Sequence, residues 1–528
     1  MIRALSFRLR PLAALPFRDA WGVAAASVLA AAVYFAAHAR SPARPQAAVP
    51  GEGWWAWFDQ GHYLRAALAW AEGSVDPARH WYLPGYPLMA APFAQITPAQ
   101  PFLLPDLACL LASLLLTAAL ARVLLPAGLA LRGSIGAGCF VLAALAVGVA
   151  RQSWVIPWTT TGATPFILAA LLAALHFLRR PVPMTGFLGG LAVGTIATIR
   201  PTDLLGVLAA WAVAGLAVAL QRRAGALRLG ASLAAALGGC ALPMGAGLAA
   251  HLAIHGWAWG PYLEGSALIG FEPKLAGLRW ATAMLNARPV FPEGDGLVQM
   301  FPFIIPGMLG MAVSTAAATP ARRPLHLAVI ALTVSHAGLY LIYRDLHPIN
   351  LWRFHNHHYF KALLPLFALY TVALVAHVPW ALRHPRRCLA AWAAVALLLP
   401  WRGVEQPAGP AGPISADRHS LLIPAGLPRA GDAVRVATAA SLKAVTGDRH
   451  RLVIGGATYH PFRDFAAFKD GPDMLVMTLR DLPDGPATLI LSEDVTLDPA
   501  PPPLRAHLTA QPGLPCLLTW CRRAARGE

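Results

Sequence analysis

An acidic residue beside a run of tryptophans is the strongest candidate for proton transfer in the first part of the chain. Asp59 follows Trp54, Trp55 and Trp57, and it begins an amphipathic stretch that predicts a helix. A carboxylate at a helix start caps free backbone amides, and indole rings suit a membrane–water interface. The same carboxylate can accept a proton from a hydroxyl nucleophile. We predict Asp59 as a general base, with capping of an interfacial helix as the alternative.

The densest group of basic and aromatic residues lies further along, between Tyr343 and Lys361. Its cationic members include Arg353, His357, His358 and Lys361. Arginine and lysine donate charge-assisted hydrogen bonds to phosphate, and fixed cations stabilise charge that develops on a leaving group. We predict that Arg353 and Lys361 bind a phosphate, with His357 or His358 assisting. The alternative is a loop that contacts solvent or lipid headgroups.

A third candidate is an arginine at a sharp break between two apolar stretches. Arg200 precedes Pro201 and lies three residues before Asp203. A guanidinium near the membrane interface needs an anionic partner, so Arg200 is the best single candidate for phosphate among the residues at the ends of apolar stretches.

The sequence favours neither a metal site nor a cofactor. His355, His357 and His358 have no carboxylate or cysteine at a suitable spacing to complete a metal site. Asp59 is followed by Gln60, so a paired-acid metal site is also not favoured. We therefore predict no metal and no cofactor.

Composition places these residues in a membrane protein. The 528 residues are 57% hydrophobic and only 13% charged, whereas soluble proteins average about 25% charged residues. Residues 1–400 carry 28 Lys and Arg against 12 Asp and Glu, while residues 401–528 carry 14 against 13. Basic residues beside apolar spans orient a polytopic protein, so the positive charge is no evidence for nucleic-acid binding.

Apolar stretches predict about eleven transmembrane helices in residues 1–400. Arginines recur in every second connection, which places those connections in the cytoplasm and Asp59, Arg200 and Lys361 on the outer face. The predicted spans are 19–38, 102–121, 133–150, 163–178, 184–199, 203–220, 229–252, 300–318, 325–343, 359–378 and 388–400.

Residues 401–528 differ from the rest and predict a small extracytoplasmic α/β domain. A linker rich in proline and glycine leads into short apolar runs that alternate with polar stretches. Strands are predicted at 433–438, 451–454 and 487–491, and helices at 441–445 and 504–509.

The first outer loop resembles that of the GT-C superfamily, which comprises polytopic membrane glycosyltransferases that use polyprenyl-phosphate-linked sugars. The resemblance is closest to the family 39-like branch, which includes Rgt-type lipopolysaccharide enzymes and dolichyl-phosphate-mannose mannosyltransferases. Three features carry the resemblance. The first is Asp59 with Tyr63, followed by the elbow Tyr82-Leu83-Pro84-Gly85-Tyr86-Pro87-Leu88. The second is the turn Arg200-Pro201-Thr202, and the third is Tyr359-Phe360-Lys361 before Pro365. Many relatives carry paired acids in this loop, whereas this chain has Asp59-Gln60.

The resemblance implies an inverting glycosyltransferase of the bacterial inner membrane that acts on the periplasmic side. Asp59 would be the base, and Tyr63, Tyr86, Arg200, Arg353, His357, His358 and Lys361 would bind substrate. The implied partners are membrane lipids, a polyprenyl-phosphate-linked sugar and an envelope glycan or lipid acceptor. Three alternatives remain: a transporter or flippase, a noncatalytic envelope assembly subunit, and another lipid-dependent enzyme such as an O-antigen ligase or polymerase.

Overall fold

The computed structural model describes most of residues 17–391 and separate strands after residue 419. The described residues are 17–41, 43–49, 52–221, 225–271, 273, 276–285, 296–343, 356–387, 390–391, 420–423, 433–437, 451–459, 466–469, 474–478, 483, 485–490 and 505–507.

The chain divides into two compact units. The first comprises Met1–Glu264, Phe301–Leu339 and His357–Val395, and the second comprises Gly265–Met300, Tyr340–Asn356 and Ala396–Glu528. Asp59, Arg200 and Lys361 all belong to the first unit. The domain boundary that we predict at residue 400 stays a prediction.

The part of the chain before residue 400 is helical. Its α-helices are α1 Phe17–Arg40, α2 Phe58–Ala71, α3 Gly85–Ala90, α4 Leu103–Leu124, α5 Arg132–Val141, α6 Gly148–Val155, α7 Thr159–Arg179, α8 Pro183–Ile199, α9 Leu204–Leu220, α10 Ala226–His255, α11 Pro261–Ile269, α12 Ala276–Trp280, α13 Leu297–Met300, α14 Ile304–Ala317, α15 Arg323–Ile342, α16 Leu364–Ala376 and α17 Val378–Arg383. Pro183 and Pro365 occupy the first turns of α8 and α16, where a missing N–H removes no helical hydrogen bond.

Six of the described helices are long and apolar enough to cross a bilayer. They are α1, α4, α7, α9 with the turn before it, α10 and α15. The predicted span 133–150 is instead a bent pair, because Val147 is extended between the π-helical segment Leu142–Ala146 and α6, and the two halves meet at 91°. Helices α8, α14 and α16 are apolar but shorter. The count of eleven spans stays a prediction, and most of 388–400 lies outside the described residues.

Helices α8 and α10 pack with their backbones in close contact. Gly186, Gly190 and Gly194 of α8 lie against backbone carbonyl oxygens of α10, and Gly239 of α10 lies against the carbonyl oxygen of Phe187. Small residues at every fourth position let two membrane helices approach this closely. Most of the remaining surface of α10 is exposed, so this contact is what holds α10 to the first unit.

We expect Gly239→Leu to detach α10 and to lower thermal stability. A Cβ at Gly239 would collide with a backbone atom, which cannot move aside as a flexible side chain can. The adjacent Gly238 has open space around it, so Gly238→Leu is a matched control with the same change in composition. The measurement is the unfolding temperature of both purified variants in detergent. Equal unfolding temperatures would contradict the packing role.

Arginines from several predicted cytoplasmic connections meet at one end of the first unit. Arg179 and Arg322 both donate to the carbonyl oxygen of Val123, and Arg122 forms an ion pair with Asp19 at 3.0 Å. Asp19 also accepts hydrogen bonds from the backbone and side chain of Ser134. Residues that were assigned to one side from the sequence pattern are therefore close in space, and the orientation of the helices stays a prediction.

The described residues after 419 form eight strands in two antiparallel sheets. Strands β1 Ser420–Ile423, β7 Ala487–Ile490, β3 Arg451–Ile454 and β4 Ala457–Tyr459 form one sheet in that order, and β5 Ala466–Lys469, β6 Met474–Thr478, β2 Ala433–Ala437 and β8 Arg505–His507 form the other.

Predictions for this region are partly confirmed. The predicted strands at 433–438, 451–454 and 487–491 are present as β2, β3 and β7. The helix predicted over 504–509 is wrong, because Arg505–His507 pairs with β2 as a strand. Leu504, Ala506 and Leu508 alternate with polar residues, and this period of two is typical of strands. The helix predicted at 441–445 lies outside the described residues.

Candidate functional site

The segment before α2 fixes the position of the candidate base. Trp54 and Trp55 are buried, and Gly61 lies against the carbonyl oxygen of Trp55. The Gln60 side chain donates to the carbonyl oxygen of Pro157 at 2.9 Å, which joins α2 to the chain just before α7. Asp59 is therefore held in the first turn of a helix that is anchored on both sides. A negative charge at this place also interacts favourably with the helix dipole.

The Asp59 carboxylate is half-buried and accepts a hydrogen bond from Tyr82. The distance from the Tyr82 hydroxyl to Asp59 Oδ1 is 2.5 Å. The Tyr82 ring packs against Tyr63 at 4.6 Å and Tyr262 at 5.0 Å between centroids. Burial and the adjacent Asp59 carboxylate raise the pKa of Tyr82, so Tyr82 stays a neutral donor and Asp59 stays an acceptor.

Tyr63 connects the acid to the cationic part of the cluster. It is buried, and its hydroxyl lies near the side chain of Thr159. Burial and the Asp59 charge raise the pKa of Tyr63, and the charge of Arg200 opposes this shift. The charges of the candidate base Asp59 and of the candidate phosphate ligand Arg200 thus act on the same hydroxyl group.

Arg200 lies at the start of the turn that joins α8 and α9. Its guanidinium donates to Thr159 Oγ1 at 3.2 Å, lies 3.5 Å from Asp203 Oδ1 and covers the Tyr359 ring at 4.4 Å from the centroid. His336 also approaches Asp203, at 4.0 Å, and interacts with the Tyr359 carbonyl oxygen. One hydroxyl, one carboxylate and one aromatic ring therefore hold the guanidinium in place.

Lys361 is the second cation of the cluster, and it is 3% exposed. Its ammonium donates to the carbonyl oxygen of Ser153 at 2.5 Å and to Thr161 Oγ1 at 2.6 Å. It also lies over the Trp154 ring, 5.0 Å from the centroid. Both hydrogen-bond acceptors are neutral, so these contacts orient the positive charge without cancelling it.

The two predicted histidines precede Lys361 in the chain and contact different elements. His358 contacts Thr160 Oγ1 at 2.9 Å and stacks on Trp158 at 4.0 Å between centroids. His357 contacts the carbonyl oxygen of Val149 at 3.1 Å. The two rings have different partners, and no group of three metal-ligating side chains occurs among the residues that the structure describes. Arg353 lies outside the described residues.

Tyr86 lies between Tyr63 and the start of α4. Its ring contacts Tyr63 at 5.3 Å and Phe102 at 4.8 Å between centroids, and its hydroxyl donates to both oxygens of Asp106. Tyr63 and Tyr86 are both buried. Tyr63 packs on Tyr82, and Tyr86 packs on Tyr63. Their predicted contact with substrate stays a prediction.

Several members of the cluster were missed by sequence reasoning. Thr159, Thr160 and Thr161 at the start of α7 contact Arg200, His358 and Lys361 in turn. Three consecutive threonines after a tryptophan are a visible signal at a helix start, where polar side chains are favoured. Tyr82 was part of the elbow in the sequence, but its hydrogen bond to Asp59 was not identifiable there.

An aromatic group flanks Asp59 on the outer surface of α2. The His62 ring packs against Phe58 at 4.6 Å and Trp81 at 4.8 Å between centroids, and Arg65 contacts its Nδ1 at 3.0 Å. Burial and the charge of Arg65 lower the pKa of His62 from 6.5 to about 4. The ring is therefore neutral at physiological pH.

We expect His62 to make the folded protein less stable in acid. Between pH 6.5 and about 4 the unfolded chain binds a proton at His62 while the folded chain does not, so stability decreases as the pH falls through this window. His62→Gln should therefore lose less stability than wild type between pH about 7 and about 5. The measurement is the unfolding temperature at both pH values, with the exposed His384→Gln as control. Identical losses in all three proteins would contradict the prediction.

An apolar groove of 460 Å³ lies beside the cluster in the first unit. Its lining includes Pro201 next to Arg200, Leu83 and Pro84 of the elbow, and Met244 and Leu248 of α10. The groove thus begins next to a candidate phosphate ligand and continues along an apolar helix.

No protein-family model matches the chain, and no curated protein matches it. Among solved structures, the chain is similar to ArnT from Cupriavidus metallidurans bound to undecaprenyl phosphate, with a TM-score of 0.44 and 15% identity over 70% of this chain and 63% of that chain. It is also similar to the oligosaccharyltransferase of Archaeoglobus fulgidus in complex with Zn and sulfate, with a TM-score of 0.36 and 14% identity over 71% of this chain and 51% of that chain.

A third similar structure is the arabinosyltransferase EmbB of Mycobacterium smegmatis, with a TM-score of 0.31 and 13% identity over 91% of this chain and 64% of that chain. The chain spans less than two thirds of the length of each of the three proteins. These proteins are what the chain resembles in structure.

Proposed function

We propose that this protein is a membrane glycosyltransferase that moves a sugar from a polyprenyl-phosphate donor to a hydroxyl group of a cell-envelope acceptor. One observation carries the proposal. The half-buried Asp59 carboxylate and the buried Arg200 and Lys361 belong to one cluster. Tyr82 donates to Asp59 and packs on Tyr63, and the charges of Asp59 and Arg200 both act on the Tyr63 hydroxyl. Arg200 and Lys361 donate to Thr159 and Thr161 in the same first turn of α7. A base for a hydroxyl and cations for a leaving phosphate are the two requirements of this reaction.

The reaction would proceed as a displacement at the anomeric carbon of the donor sugar. The acceptor oxygen forms a bond to that carbon while its proton passes to the Asp59 carboxylate. The bond from the anomeric carbon to the phosphate oxygen breaks, and the electron pair leaves with the polyprenyl phosphate. Arg200 and Lys361 stabilise the additional negative charge on the phosphate. A single displacement inverts the configuration at the anomeric carbon.

The donor lipid would place its phosphate at Arg200 and its chain in the adjacent groove. Pro201 lines the groove, so a phosphate on Arg200 would stand at the groove's entrance. The rest of the lining is mostly apolar, with contributions from α8 and α10. An isoprenoid chain offers only apolar surface and matches such a lining, because its burial is favourable by about 25 cal/mol per Å². Arg353, His357 and His358 are proposed as further donor ligands.

The proposed location is the bacterial inner membrane, with Asp59 and the residues after 400 on the periplasmic side. The clustering of Arg122, Arg179 and Arg322 at one end of the first unit supports this orientation, since basic residues favour the cytoplasmic side. The acceptor would then be a glycan or lipid of the envelope.

The proposal is tested by sugar transfer with the purified full-length protein in detergent. The donors are a panel of polyprenyl phosphates that carry different radiolabelled sugars, and the acceptor is an envelope lipid extract. We expect label to enter the extract from at least one donor, with release of polyprenyl phosphate in equal amount. A folded protein that transfers no label from any donor would favour a transporter or a noncatalytic assembly subunit and would overturn the proposal.

A further inference from the structure

Four arginines meet where helices α4 and α7 end, and we call them the arginine cluster. Arg132 donates to the carbonyl oxygen of Arg122 at 3.0 Å. Arg179 and Arg322 both donate to the next carbonyl oxygen, that of Val123, at 2.9 and 3.3 Å. Two consecutive carbonyl oxygens thus hold three guanidiniums. The candidate site at the start of α7 is about 30 Å away along that helix, so the arginine cluster is a separate feature.

The contacts within the arginine cluster leave positive charge in excess. Arg122 forms its ion pair with the buried Asp19 at 3.0 Å. Arg132, Arg179 and Arg322 donate instead to the uncharged carbonyl oxygens. The C-terminal end of α4 adds about −0.5 charge through the helix dipole, so four guanidiniums and one carboxylate keep a net charge of about +2.5.

Capping of α4 explains these hydrogen bonds but not the number of cations. A guanidinium has five N–H groups, and the bonds to the carbonyl oxygens use one of them in each arginine. Like charges held this close repel each other. Arg132 and Arg322 are partly exposed and Arg179 is exposed, so a ligand can reach them from outside. An anion between the guanidiniums would remove the repulsion.

The arginine cluster lies at the depth of lipid headgroups. Helices α1, α4, α7 and α15 are long and apolar enough to cross a bilayer, and the cluster is formed where α1 and α15 begin and α4 and α7 end. Trp21 in the second turn of α1 is exposed, and tryptophan is typical of the membrane–water interface. Leu131, directly before Arg132, is also exposed. Apolar surface therefore borders the arginines.

We propose that the arginine cluster binds the headgroup of an anionic phospholipid. The guanidiniums of Arg132, Arg179 and Arg322 donate charge-assisted hydrogen bonds to the phosphodiester oxygens. Basic pockets between transmembrane helices are suited to such headgroups. A soluble phosphate has the same charge but no apolar part for the surface around Leu131, so the lipid is the better match. This site is independent of the proposed sugar transfer.

The test is native mass spectrometry of the purified full-length protein in detergent, titrated with dioleoylphosphatidylglycerol or dioleoylphosphatidylcholine. The two lipids have the same acyl chains, and the first alone has a net negative headgroup. Each arginine beside an anionic headgroup contributes about fivefold to affinity, so wild type should prefer phosphatidylglycerol by about 100-fold. Equal affinity of wild type for both lipids would overturn the inference, whatever the variants do.

A charge-removing variant and a matched control locate the site. Arg179→Gln/Arg322→Gln keeps amide donors for the carbonyl oxygen of Val123 but removes two charges, and its preference should fall to about fivefold. Arg40→Gln/Arg44→Gln removes two exposed arginines at and just after the other end of α1 and should keep the wild-type preference. Equal losses in both variants would assign the preference to the overall charge of the protein and overturn the site.

Two further measurements complete the test. If Arg179→Gln/Arg322→Gln does not fold, the single variant Arg132→Gln takes its place, and an unchanged preference in it overturns the inference. Inorganic phosphate in excess over the lipid should leave phosphatidylglycerol bound. Displacement of the lipid by phosphate would identify a soluble anion as the ligand and would overturn the lipid assignment.

Discussion

Asp59→Asn is expected to lower sugar transfer by about 100-fold to about 10,000-fold, the usual contribution of a general base. Asparagine has the shape of aspartate and still accepts a hydrogen bond from Tyr82, but it cannot take a proton from the acceptor hydroxyl. Asp59 is half-buried, and its neighbours Tyr63 and Tyr82 are held by further aromatic contacts. The variant should therefore insert and fold as wild type does. The measurement is transfer of labelled sugar at saturating donor, with the unfolding temperature recorded on the same preparation.

Glu72→Gln is the matched control for this substitution. Glu72 is an exposed acid at the other end of α2, where it forms an ion pair with Arg79, and exposed pairs of this kind contribute little to stability. We expect Glu72→Gln to transfer sugar at the wild-type rate. Full activity in Asp59→Asn, or equal losses in both variants, would remove Asp59 from the role of base. Wild-type binding of farnesyl phosphate to Asp59→Asn would show that the lesion lies in the chemical step.

Residue types alone identified the two ends of the candidate site. Asp59 was predicted because an acid follows three tryptophans, and Lys361 because cations and aromatic rings are concentrated up to the start of a predicted span. Both signals are local. The structure adds that Arg200, which was predicted from a local turn, lies in the same cluster. Helices α1, α4, α7 and α10 were predictable for the same reason, since an apolar stretch of about 20 residues is a local property.

The contacts within the cluster were not predictable, because they join residues far apart in the chain. Lys361 meets Thr161 across 200 positions, and His358 meets Thr160 across 198. No local sequence pattern shows which helix ends are neighbours in the fold. Tyr86 was noticed as part of a proline-containing elbow, yet its hydrogen bond to Asp106 depends on how α3 packs against α4. The bend at Val147 was not predicted, because the hydropathy of an apolar segment is the same whether its helix is straight or broken.

The two cations differ in how they are held, and this difference separates their effects on activity and on stability. Arg200 has a carboxylate beside it, whereas the hydrogen bonds of Lys361 end on neutral oxygens. Removing the guanidinium takes a positive charge away from the buried Asp203, and breaking a buried pair in this way costs about 3–5 kcal/mol. Arg200→Met should therefore lose both transfer and thermal stability.

Lys361→Met should lose transfer with a smaller loss of stability than Arg200→Met. The methionine side chain is similar in length and can pack against Trp154, and it removes a charge that is expensive to bury. Loss of one preorganised cation should reduce kcat/KM for the donor by about 100-fold to about 1,000-fold. Transfer assays and unfolding temperatures of both methionine variants check this, with the exposed Arg180→Met as control. Unfolding of Lys361→Met at a much lower temperature than wild type would mean that the ammonium has a structural role. Lost transfer at an unfolding temperature close to that of wild type would instead leave phosphate recognition as the function of Lys361.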